Sequence, residues 1–131
     1  MKYLGVDYGS KRVGIALSDE AGDFVYPFSV LENENQNDLV QKIVIICKWK
    51  KVEEIVVGES KNFKMKENDI MKEILPFVEE LKEKIGLPVR MHPEFLSSQE
   101  AERLQGKNKM LDASAAAIIL KSYLDMLKNK G

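Results

Sequence analysis

Asp7, Glu94 and Asp112 are carboxylates far apart in the chain whose local settings can bring them to one edge of a sheet. Asp7 ends the apolar run Tyr3-Leu4-Gly5-Val6 and is soon followed by Gly9 and the basic pair Lys11-Arg12. A second apolar run, Val13-Gly14-Ile15-Ala16-Leu17, closes on Ser18-Asp19. The two runs read as strands joined by the tight turn Tyr8-Gly9-Ser10-Lys11, with Gly9 expected to supply the positive φ such turns often need. Glu94 lies just past a strand read at Val89-Arg90-Met91-His92, and Asp112 opens the last helix. Ligands of open α/β sheets gather beyond the carboxyl ends of the strands, so all three acids can meet there. Crowded carboxylates repel unless a divalent cation neutralises them. Hard oxygen ligands without a Cys/His pattern indicate Mg²⁺ or Mn²⁺ rather than Zn²⁺.

Such a site suits phosphodiester hydrolysis. Two ions about 3.5–4 Å apart can activate a water and stabilise the leaving oxygen of an in-line displacement. No general-base histidine is then required, and His92, the only histidine, reads as a strand-end or supporting residue. Each acid also has a plainer reading. Asp7 can cap its turn through backbone N–H groups. Glu94, after Pro93, can be an exposed loop charge, and Asp112 can be a helix N-cap. The convergence of all three on one edge is what favours chemistry.

The elements that position them follow from periodicity and punctuation. Phe24 to Leu31 reads as a third strand, with Pro27 marking an edge or a bulge because proline cannot donate to the ladder. A helix runs from Asn37 through Leu39, Val40, Ile43, Ile46 and Cys47, with Lys48, Lys50 and Lys51 at its end. Ile55-Val56-Val57-Gly58 is a short apolar strand of the kind buried in a parallel sheet. A long amphipathic helix follows, with Ile70, Ile74, Phe77, Val78, Leu81 and Ile85 on one face. Pro76 in its middle predicts a bend or a break, and Gly86-Leu87-Pro88 stops it. Ser97-Ser98-Gln99-Glu100 reads as a capping box opening a further helix. The last helix carries Ala115, Ala116, Ile119, Tyr123, Leu124 and Leu127. The order β-β-β-α-β-α-β-α-α predicts an α/β fold with a five-stranded mixed sheet: a three-strand antiparallel meander, then parallel additions, with helices on both faces.

With 131 residues, 44% hydrophobic and 31% charged, the chain reads as one domain over residues 1–131 with a core that needs no disulfide. The single cysteine, Cys47, lies in an apolar run and reads as a small buried hydrophobe. No stretch is long and apolar enough for a membrane span, and the N-terminus lacks the pattern of a signal peptide, which points to the cytoplasm. A net charge of −1 excludes a protein that holds nucleic acid by bulk electrostatics. Local patches remain: Lys11-Arg12, Lys61-Lys64-Lys66 and Lys107-Lys109, each also readable as an ordinary solvated face.

With these residues assembled, the chain resembles the YqgF family of RuvC-like Holliday junction resolvases in the RNase H-like superfamily. The resemblance runs from Asp7-Tyr8-Gly9-Ser10-Lys11-Arg12-Val13-Gly14-Ile15-Ala16 through Val56-Val57-Gly58, Leu87-Pro88-Val89 and Glu94-Phe95-Leu96-Ser97-Ser98 to Asp112-Ala113-Ser114-Ala115-Ala116. It implies an RNase H-like fold and a metal-dependent nuclease in which Asp7, Glu94 and Asp112 bind Mg²⁺ or Mn²⁺. The implied substrate is structured RNA, the small-subunit ribosomal RNA precursor, with branched DNA as the near alternative. A binding module with decayed catalysis is the reading from another class. Lys11, Arg12, Ser97 and Ser98 form the expected phosphate-contacting rim, and a homodimer would pair two sites as a four-way junction requires. The chain departs from the family where Pro93-Glu94-Phe95-Leu96-Ser97-Ser98 replaces Asp-Glu-Arg-Leu-Thr-Thr, losing one acid and one bidentate phosphate donor. Glu59 adds a carboxylate after the fourth strand, where many RNase H-like nucleases carry an active-site acid. A sugar-kinase or actin-like ATPase, which opens on a similar strand pair, needs a second hairpin and a second domain and is set aside.

Overall fold

The computed structural model describes residues 1–60, 69–94 and 110–129. Strands β1 (Tyr3–Asp7), β2 (Arg12–Ser18) and β3 (Val25–Glu32) precede helix α1 (Gln36–Lys50). Strand β4 (Glu54–Ser60), helix α2 (Asp69–Ile85), strand β5 (Val89–Glu94) and helix α3 (Met110–Asn129) follow. The strands form one sheet in the order β3-β2-β1-β4-β5. The first three pair antiparallel, and β4 joins β1, and β5 joins β4, in parallel. The mixed sheet expected from the element order is thus observed. The helix read at Ser97-Ser98-Gln99-Glu100 lies outside the described residues.

Strand alternation divides two cores. Leu4 and Val6 of β1, Val13, Ile15 and Leu17 of β2, and Ile55 and Val57 of β4 pack with α1 and α2. Val56, on the opposite face, packs with Ile119, Leu120, Tyr123 and Leu124 of α3. Helices therefore cover both faces. Cys47 is buried in the first core, as its sequence neighbours predict.

Several local readings change. Gly9 does not adopt a positive φ, since among the described glycines only Gly22 and Gly86 do. Glycine is required at position 9 for space, because a Cβ there would lie 2.5 Å from the Arg12 carbonyl oxygen. Asn35 caps α1 by accepting from the Asp38 N–H, so the helix starts before Asn37. Lys51 ends it in the left-handed region at φ 58°.

The expected break at Pro76 is absent: α2 runs unbroken from Asp69 to Ile85. Pro76 is exposed while Ile74, Phe77 and Val78 are buried. The missing N–H thus falls on the solvent face of the helix. Pro27 meets its expectation. It sits on the edge strand beside a bulge, where Ile15 pairs with Ser29 and Ala16 with Pro27.

Candidate metal and nucleic-acid site

The first acid is held by the sheet itself. Asp7 is the last residue of β1 and half-buried, one residue beyond the Val6–Val57 pair. That step brings it level with Gly58 of β4, which pairs with His92 of β5. Asp7, Gly58 and His92 form a row across three strands, about 10 Å from end to end by ordinary strand spacing. Gly58 is buried and contributes no side chain between the other two.

Glu94 stands two residues beyond His92, paired in register with Ser60. It is the last residue of β5 rather than a loop residue past it, because the strand continues through Pro93 on the sheet's outer edge. Its register position shares the strand parity of His92. Glu59 takes the alternate parity of Ile55 and Val57, which pack toward α1 and α2. Its place in the pleat is therefore on the other face from Asp7.

Helix α3 brings the third acid. A Cβ built on Gly5 would stand 2.9 Å from both the Ala116 carbonyl oxygen and the Leu120 Cβ. Farther along the helix, the Tyr123 ring meets the Tyr3 ring at 6.2 Å. Moving toward the C-terminus of α3 thus moves toward the start of β1, so the two run antiparallel. Asp112 lies one helical turn before Ala116, about 6 Å up the helix. Asp7 lies two residues past Gly5, about 7 Å along the strand in the same direction. The backbone of Asp112 therefore reaches the edge that carries Asp7. Asp112 lies within the described helix rather than at its N-cap.

The turn between β1 and β2 is tied on two sides. The Asn33 side-chain amide donates to the Gly9 carbonyl (2.8 Å) and the Asn33 N–H to the Lys11 carbonyl (2.9 Å). The Ser10 hydroxyl donates to Glu73 on α2 (2.8 Å), and the Tyr8 ring lies 4.9 Å from that of Phe77. These ties hold the backbone that carries Lys11 and Arg12, both exposed. Asn33 belongs to the polar run Glu32-Asn33-Glu34-Asn35 that follows the third strand's apolar residues. An asparagine directly after a strand, able to bond a neighbouring turn, was the available signal. Ser97 and Ser98 lie outside the described residues, as do Lys61, Lys64, Lys66, Lys107 and Lys109.

His92 is almost fully buried and belongs to the same face. Its Nε2 lies 3.0 Å from the Ser122 Oγ of α3, and its ring meets Tyr123 edge-on at 5.7 Å. Burial pushes the imidazole below its ordinary pKa, favouring the neutral form. At the far end of the strands, Tyr123 donates to the buried Glu54 carboxylate (3.2 Å), which also faces Arg90 at 3.6 Å.

The comparisons agree with this architecture. The chain shares its fold with Thermus thermophilus RuvC, at TM-score 0.65 and 17% identity over 98% of this chain and 96% of that one. The fowlpox virus resolvase, solved with Holliday junction DNA, matches at TM-score 0.59 and 13% identity over 97% of this chain and 99% of that one. The fold is RNase H-like α/β. The chain belongs to the family described as "RuvX: Holliday junction resolvase", whose sequence model matches residues 1–126. A relative from Lawsonia intracellularis, named "Putative pre-16S rRNA nuclease", is 38% identical over 99% of this chain and 97% of its own length. One of the same name from Desulforamulus reducens is 35% identical over 95% of this chain and 97% of its own.

Proposed function

We propose that the protein is a divalent-metal-dependent nuclease that hydrolyses phosphodiester bonds in structured RNA, with the small-subunit ribosomal RNA precursor as substrate. The observation that carries this reading is the register between α3 and β1, which brings the backbones of Asp7 and Asp112 to one sheet edge. The substrate class is drawn from the names of the curated relatives. Asp7, Glu94 and Asp112 are the residues that would hold Mg²⁺ or Mn²⁺. Their all-oxygen donor set suits a hard cation. Such an ion supplies charge neutralisation at the scissile phosphate and an activated water.

The chain's own residues supply orientation and charge. Asp7 is fixed by β1 within the sheet, and α3 fixes Asp112 through close packing on Gly5. Lys11 and Arg12 on the clamped turn offer positive charge to the phosphates flanking the cut, joined by Ser97 and Ser98. The reading takes residues 1–131 as one domain in a cytoplasmic setting, which goes with this substrate.

A second reading, cleavage of branched DNA, is favoured by the family description. Two copies of the chain would then act on the symmetric arms of a four-way junction. The deciding experiment compares labelled precursor RNA, linear DNA and four-way junction DNA side by side, each with Mg²⁺ or with EDTA. Mg²⁺-dependent cleavage of the precursor RNA alone is expected. Preferential cleavage of the junction would replace the RNA reading. Absence of cleavage on all three would leave a nucleic-acid-binding module.

A further inference from the structure

We propose that His92 is a positioning residue, whose bond to Ser122 across the gap between β5 and α3 sets the spacing of the Glu94 and Asp112 backbones. This rests on the metal-site reading above. Strand β5 is the outer strand of the sheet, held by β4 on one side. The end of β5 is therefore less firmly held by its backbone than the end of β1, which is paired on both sides.

Among the described side chains, His92 is where that end of the strand meets α3. Its Nε2 lies 3.0 Å from the Ser122 Oγ and its ring packs edge-on to Tyr123. Glu94 is two residues farther along the strand, and α3 carries Asp112 at its opposite end as a continuous helix. A shift of β5 against α3 would change the distance between the two acids. The His92–Ser122 bond resists that shift with two side chains that need not touch the metal. Neutral imidazole can be donor or acceptor at Nε2, and the serine hydroxyl can complement either.

The test uses Ser122→Ala, His92→Phe, their double variant and His92→Gln. Mn²⁺ affinity is measured by calorimetry and folding by thermal unfolding. Ser122 is exposed, so Ser122→Ala is expected to melt like the wild type. Both single variants are expected to bind Mn²⁺ about three- to tenfold more weakly, at the low end of outer-shell effects on metal sites. The double variant is expected to be no weaker than the worse single one, because one shared bond is lost only once. His92→Gln, which keeps a polar group within reach of Ser122, is expected to recover most of the affinity. Unchanged Mn²⁺ affinity in Ser122→Ala and His92→Phe overturns the positioning role while leaving the metal site standing. Additive losses that track melting temperature also overturn it, since they indicate general packing. A wild-type protein that binds no Mn²⁺ overturns the metal-site reading, and this inference with it.

Discussion

Gly5 on β1 and Ala116 on α3 meet so closely that a Cβ on Gly5 would stand 2.9 Å from the Ala116 carbonyl oxygen. Neither partner can yield easily, because one is strand backbone and the other helix backbone. Gly5→Ala is therefore expected to push α3 away from the sheet and to destabilise the fold by about 1–3 kcal/mol, as overpacking does. Asp112 sits one turn from the contact, so cleavage is expected to fall further than the lost stability accounts for. Denaturant unfolding and a cleavage assay well below the melting transition check both parts. Full activity in a folded Gly5→Ala protein would mean that this contact does not set the site.

Asp7→Asn keeps the shape of the side chain and removes its charge. Loss of cleavage by orders of magnitude is expected, because a metal ligand is lost and charge developing at the phosphate is no longer neutralised. Nucleic-acid binding should persist or strengthen, since one negative charge facing the phosphates disappears. Paired cleavage and filter-binding measurements separate these effects. Equal and negligible Mg²⁺-dependent cleavage by both proteins would favour a chain that kept the scaffold and lost the chemistry.

The strands and the mixed character of the sheet were legible because each strand announces itself by composition. Val13, Ile15 and Leu17 alternate with Gly14 and Ala16, and the structure turns the first set to α1 and α2. The parallel character of Ile55-Val56-Val57 follows from its apolar run and the helix before it, while its place beside β1 is seen only in the structure. What periodicity could not convey was which backbone groups approach each other. The role of Gly9 depends on the Arg12 carbonyl, and the hold on the turn depends on Asn33, two dozen residues away. Pro76 does not end α2, because its missing N–H falls on the face that meets water, which a proline rule alone does not convey. The His92–Ser122 bond joins a strand and a helix with no motif linking them, so only the folded chain reveals it.

Cys47 gives a pH-dependent test of the core. Burial pushes its thiol from an ordinary value of 9.0 up to about 12. Between those values the unfolded chain loses a proton that the native chain keeps. The unfolded state then binds fewer protons, so stability falls as pH rises, by up to about 1.4 kcal/mol per unit from this group. Urea unfolding at pH 7 and pH 10 is expected to show a larger loss for the wild type than for Cys47→Ala. Iodoacetamide at pH 8 should label the thiol only after unfolding. Ready labelling of the native protein would contradict the packing described.

Lys11 and Arg12 bear on substrate binding through charge alone if the turn acts as a phosphate-contacting rim. Both are exposed, on backbone fixed by Asn33 and by the Ser10–Glu73 bond. Each phosphate contact releases condensed counterions, so affinity falls with salt at a slope set by the number of contacts. Removing both side chains in Lys11→Ala/Arg12→Ala should weaken binding at low salt and flatten the log–log slope by about 1.4 for a single strand or about 1.8 for a duplex. The effect should be similar on different sequences, because phosphates carry no base information. Melting temperature should change little, since exposed side chains contribute little to stability. An unchanged slope across a salt titration would mean that these cations only decorate the turn. The rim would then have to be sought elsewhere on the chain.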